Sequence, residues 1–136
     1  MQPLISYITL GVDDLERSMG FYRDVLGFAT DGIVGEAYDH GAVVFFKMNN
    51  GQVLALWERK SIAADCGVTQ GAADPTAFML AHNVATRDEV DQIMDELTRA
   101  GARICKPARE LTWGGYGGVF QDPDQHLWEV VFNPKS

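Results

Sequence analysis

The sequence predicts an α+β protein built from two tandem β-α-β-β-β modules, and three observations carry that reading. Two helix starts bear matching capping residues, Asp13 followed by Glu16 and Thr86 followed by Glu89. Each helix presents one apolar face and stops at a glycine, Gly27 or Gly101. Each half also closes on a strand that follows a turn. Asn49-Asn50-Gly51 precedes Val53-Leu54-Ala55-Leu56-Trp57, and Asp122-Pro123-Asp124-Gln125 precedes Leu127-Trp128-Glu129-Val130-Val131. Laying one turn on the other superposes the halves at an offset of about 73 residues, the mark of an internal duplication.

The elements follow in order. Leu4 to Val12 alternates and is rich in β-branched and aromatic residues, which suits a half-buried strand. Leu15, Met19, Tyr22 and Leu26 share a helical face that belongs to the core. Strands are expected near residues 28–35, 41–48 and 52–58, the last two joined as a hairpin through Asn50-Gly51. Residues 59–75, with Gly67, Gly71, Pro75 and several alanines, read as a linker between module one (1–58) and module two (76–136). In the second half, Ala77 to Val84 is a strand, and Val90, Ile93, Met94 and Leu97 form a helical face. Strands follow at Ala102 to Cys105, Gly117 to Gln121 and His126 to Asn133. Residues 106–118 read as a long loop whose Trp113-Gly114-Gly115-Tyr116-Gly117-Gly118 makes a flexible flap. Its two rings either cover the core edge or close over a ligand.

Composition narrows the function. The chain has 136 residues, 46% hydrophobic and 22% charged, enough to bury a core without a disulfide or metal. Its net charge of −8 excludes nucleic acid and anionic membrane as partners, since both are polyanions. Cys66 and Cys105 form no CxxC pair, and no apolar run reaches membrane-spanning length. The first basic residue is Arg17, so the start lacks the charged leader of a signal peptide and a cytoplasmic location is expected.

Two stretches carry a family resemblance. Ile8 to Ser18, continuing through Phe21-Tyr22-Arg23-Asp24-Val25-Leu26-Gly27-Phe28, resembles the opening module of the vicinal oxygen chelate superfamily, which groups glyoxalase I, bleomycin resistance proteins and extradiol-type dioxygenases. Gly114 to Glu129 resembles the ending of its second module, where a DPDG turn precedes a strand carrying a functional Glu. The resemblance implies one domain over 1–136, its two modules forming a cupped open barrel. It implies a homodimer, and in the metal enzymes four inward ligands to a divalent ion. Those four positions fall here on Tyr7, Ala55, Met79 and Glu129. Ala55 has no donor atom and a Met thioether suits hard divalent metals poorly, so no metal site is expected. His126 and His82 stand three residues from Glu129 and Met79, hence on the opposite strand face, and His40 lies in a turn.

The expected site is therefore an apolar, aromatic cup with one carboxylate, Glu129, desolvated among Val53, Ala55, Met79 and Leu127. Tyr7, Ala55, Trp57, Met79, Trp113, Tyr116 and Glu129 are the expected ligand contacts, and Glu129 is the candidate catalytic group. The function expected is a metal-free small-molecule binder, with a cationic aromatic ligand favoured by the acidic chain and aromatic walls. The alternatives are a divalent-metal-dependent lyase, isomerase or dioxygenase of the same superfamily, and a metal-free enzyme using Glu129 as general base.

Overall fold

A computed structural model describes residues 1–136. The chain divides into two compact units, Met1–Ala72 and Ala73–Ser136. In the first, strand β1 (Tyr7–Val12) leads into helix α1 (Leu15–Gly20), then β2 (Ile33–Val34), β3 (Val43–Lys47), β4 (Val53–Glu58) and helix α2 (Arg59–Cys66). In the second, β5 (Met79–Val84) leads into α3 (Arg87–Arg99), then β6 (Arg103–Glu110), β7 (Tyr116–Gln121) and β8 (Leu127–Phe132). The sheet orders are β1-β4-β3-β2 and β5-β8-β7-β6, one topology used twice. The registers match as well. Tyr7 lies opposite Val53 and Met79 opposite Leu127, each in a parallel pair. Ala55 and Glu129 thus hold equivalent places, as do Tyr7 and Met79.

Strand parity divides each sheet into a helix face and an open face. In the first unit, Leu10, Val12, Val44, Phe46, Leu54 and Leu56 are buried beneath Leu15, Met19 and Tyr22. Tyr22, Phe28 and Phe46 form an aromatic triangle with centroids 5.8–6.2 Å apart. In the second unit, Val90, Met94 and Leu97 of α3 cover Phe120, Trp128 and Val130, with Phe120 and Trp128 stacked at 6.0 Å. Gly118 permits this closeness: a Cβ there would stand 2.8 Å from the Met94 methyl.

The helix ends explain themselves locally. Thr86 Oγ1 accepts from Glu89 N–H at 3.1 Å, while Glu89 reaches back to Ala85 N–H at 2.9 Å. At Gly101 (φ 84°) the Ala102 N–H donates to Leu97 C=O and the Gly101 N–H to Thr98 C=O, a Schellman ending.

Four expectations require correction. The first helix is capped by Asp14, whose side chain accepts from Arg17 N–H at 3.1 Å, and not by Asp13. It continues as a π-helical turn over Phe21–Val25, so Phe28 N–H bonds to Tyr22 C=O across Gly27. The strand expected near 28–35 is two residues long. Residues 59–75 are not a bare linker: Arg59–Cys66 form α2, ended by Gly67 at φ 71°. The long flap at 106–118 is also absent. β6 runs to Glu110 and β7 begins at Tyr116, and a tight turn between them is closed by Leu111 N–H to Gly115 C=O at 2.8 Å. Of the flap's four glycines only Gly114 has positive φ (104°); Gly117 and Gly118 are buried strand residues pressed against β8 and α3.

Candidate functional site

The open face of the first unit carries Tyr7 and Thr9 on β1, Val53, Ala55 and Trp57 on β4, and Phe45 on β3. Tyr7 and Ala55 therefore share a face, together with Trp57. Tyr7 meets Phe45 edge-on at 6.1 Å, and both rings stay exposed. Trp57 is half-buried, and its indole N–H donates to His40 C=O at 2.7 Å, tying the preceding loop to the sheet.

The open face of the second unit carries Met79 and Ala81 on β5, Leu127, Glu129 and Val131 on β8, and Val119 and Gly117 on β7. Met79 and Glu129 thus also share a face. His82 pairs with Val130 on the other face, and the His126 ring lies 5.5 Å from Phe78.

Glu129 is half-buried at the floor of a pocket of about 480 Å³ lined by Lys106, Arg109, Glu110, Leu111, Thr112 and Trp113. Two irregularities in β6 build it. Ile104 pairs with Phe120 but Lys106 with Val119, and Arg109 pairs with Gly117, so β6 gains a residue at each step. Lys106 and Arg109, three apart, would face opposite ways on a regular strand. The second bulge, which spans Pro107, returns both to the face of Glu129. Lys106, Val119 and Glu129 then form one row across three strands, with roughly 10 Å between the outer backbones. In the next row Arg109 pairs with Gly117, which is pressed so closely on β8 that a Cβ would stand 2.7 Å from the Val130 carbonyl oxygen.

Trp113 sits at the turn of this hairpin, half exposed, with its ring folded over Gly115. Tyr116 lies elsewhere. It pairs with Phe132 on the helix face, and its hydroxyl donates to Asp91 of α3 at 2.5 Å. That bond to a carboxylate holds the phenol proton and raises the Tyr116 pKa above its usual 10.0. Arg87 lies over the Tyr116 and Phe132 rings at 5.9 and 5.1 Å and pairs with Glu110 at 3.1 Å. Of the expected ligand contacts, Trp113 and Glu129 therefore meet in one pocket, while Tyr116 is on the other side of the sheet. Glu129 keeps apolar neighbours in Ala81, Leu127 and Val119, and beyond Val119 the pocket adds two cations that were not expected, Lys106 and Arg109. Lys106 and Arg109 were missed by sequence reasoning, and Pro107 between them was the signal: within a sheet, proline is confined to edges and bulges.

Two copies of a β-α-β-β-β unit, each a four-stranded mixed sheet with one covered and one open face, define an α+β class with candidate site residues on the open faces. The chain belongs to the Glyoxalase/Bleomycin resistance protein/Dioxygenase superfamily, whose family model matches residues 4–130. A glyoxalase-related enzyme from Fulvimarina pelagi has a similar structure, with TM-score 0.81 and 37% identity over 97% of this chain and 89% of that one. The uncharacterized protein YraH of Bacillus subtilis (strain 168) is 28% identical over 128 residues, 90% of this chain and 93% of its own length. The fosfomycin resistance protein FosX of Listeria monocytogenes shares the fold, with TM-score 0.72 and 22% identity over 98% of this chain and 95% of that one.

The superfamily includes metal enzymes, whose divalent ion needs several hard donors gathered at one place. On the second unit's open face, Met79, Ala81, Leu127 and Val131 surround Glu129, and at the equivalent places in the first unit stand Tyr7 and Ala55. No three His, Cys, Asp or Glu side chains gather as a metal site. A single carboxylate beside two cations does not fit a divalent ion.

Proposed function

We propose that this protein binds small organic molecules without a divalent metal, in the pocket between Glu129 and the β6–β7 hairpin. The observation that carries the reading is the 480 Å³ space itself, walled by the Trp113 ring and by the charged groups of Lys106, Arg109 and Glu129. Its size suits a drug-sized or metabolite-sized ligand, and an aromatic wall with a few convergent polar groups is the usual make-up of such sites. The family resemblance implies a homodimer, and the unpaired Cys66 and Cys105 accord with a reducing, cytoplasmic setting. The test is a titration of a set of small aromatic compounds followed by NMR at the Trp113 indole and the Val119 methyls. Saturable shifts at both positions are expected; compounds that move neither at millimolar concentration would contradict the reading.

A second reading is favoured by the Fulvimarina pelagi relative, described as a glyoxalase-related enzyme. In it Glu129 takes a proton from a bound substrate, and a nearby ammonium or guanidinium offsets the charge that develops. Loss of turnover, with retained binding, in Glu129→Gln would support it.

A further inference from the structure

We propose that the pocket beside Glu129 selects organic anions, an oxyanion group lying between Lys106 and Arg109 and an apolar body lying against Trp113. This deepens the function proposed above and rests on it. Neither Lys106 nor Arg109 forms an ion pair or a side-chain hydrogen bond within the protein. The other carboxylate of the lining, Glu110, is already held by both Nε and Nη2 of Arg87. Glu129 alone therefore opposes two cations, and the pocket carries an excess positive charge in a chain whose net charge is −8. In so acidic a protein, two unpaired cations on one wall are a local reversal of the surrounding field.

The backbone supports the assignment. Without the bulge that spans Pro107, one of the two cations would face away from Glu129, so the irregular strand is what assembles the pair. Arg109 is itself exposed, so its guanidinium edge is free to meet a planar oxyanion with two parallel N–H donors. Lys106 supplies a point charge from the next row. Glu129, across Val119, disfavours the anion itself and accepts from any hydroxyl or amine on the ligand. The cationic aromatic ligand expected from composition meets the opposite conditions, because two of the three free charges repel it.

The test uses benzoate, benzylammonium and neutral benzamide as matched probes on the full chain, at constant ionic strength. Binding is followed at the Trp113 indole N–H signal, assigned by its loss in Trp113→Phe. Benzoate should shift this signal saturably and bind at least about five-fold more tightly than benzylammonium, from charge-assisted hydrogen bonding. Lys106→Gln and Arg109→Gln should each weaken benzoate by about five-fold or more, while Lys135→Gln leaves it unchanged. Glu129→Gln should tighten benzoate, because a repelling charge is removed. Amide spectra of each variant show whether it has kept its fold, and the wild-type probe ranking stands without any variant. Preference for benzylammonium or benzamide, or weaker benzoate binding in Glu129→Gln, would overturn anion selection while leaving the binding pocket in place. Failure of all three probes to move Trp113 would overturn both.

Discussion

Replacing Gly115 by Ala puts a methyl group inside the volume held by the Trp113 ring. The backbone does not object, because Gly115 is not among the positive-φ residues and its C=O bond from Leu111 N–H is unaffected. The ring must leave instead, since it is the far end of a side chain on an exposed turn. Trp113 is 50% exposed, so about half of the 150–250 Å² an aromatic side chain can bury is at stake. At about 25 cal/mol per Å² that is about 2–3 kcal/mol as an upper bound. Partial re-burial of the displaced ring brings the expected loss to about 1–2 kcal/mol. Urea unfolding of Gly115→Ala, Trp113→Ala and the double variant forms a thermodynamic cycle. In the Trp113→Ala background the three atoms nearest the added methyl, all of the indole ring, are gone, so Gly115→Ala should there change stability by less than about 0.5 kcal/mol. The tryptophan emission of Gly115→Ala should also shift to the red, read as a difference from Trp113→Phe. Equal losses in both backgrounds, or an unchanged emission maximum, would show that the ring does not rest on Gly115.

Three further outcomes follow from the second unit. Asp122 Oδ1 accepts from the N–H groups of Asp124 and His126 at 2.9 and 2.8 Å, so Asp122→Ala orphans two buried or half-buried donors. It should cost about 2–3 kcal/mol in chemical denaturation. Gln125 holds φ 71°, so Gln125→Gly should relieve left-handed strain and stabilise the protein by about 0.5–1 kcal/mol, seen as a higher urea midpoint. The raised pKa of Tyr116 means the folded state keeps a proton that the unfolded state releases. Its contribution is therefore full below pH 10 or so and fades as pH climbs through the folded value. Tyr116→Phe should flatten that decline in stability as pH rises above about 10, and a decline of unchanged steepness would argue against the Asp91 bond.

The duplication was legible because its signals are local and repeated. Thr86 and Glu89 do cap α3, Gly101 does end it, and Val53 and Leu127 do begin equivalent strands. Strand parity correctly put Trp57 beside Ala55 and Leu127 beside Glu129, since both strands are regular. What escaped was structure that composition disguises. Arg59–Cys66 looked like linker because its alanines are followed by Gly67, Gly71 and Pro75, although Gly67 carries the helix-stop signal. Gly115, Gly117 and Gly118 looked like hinges, yet they are places where a ring, a strand or a helix comes too close for a side chain. The cations of the pocket escaped for a topological reason. A bulge shifts every later residue to the other face, and no period-two pattern can express that.

The claim that this member of the superfamily works without a divalent ion is tested most directly by native mass spectrometry with elemental analysis of the protein after gel filtration. The four positions that the family resemblance assigns to metal ligands, Tyr7, Ala55, Met79 and Glu129, predict well under one equivalent of Ni, Zn, Fe or Mn per chain, and a melting temperature unmoved by chelators. One tightly held equivalent that is lost in Glu129→Gln, together with a melting temperature that falls on chelation, would contradict it.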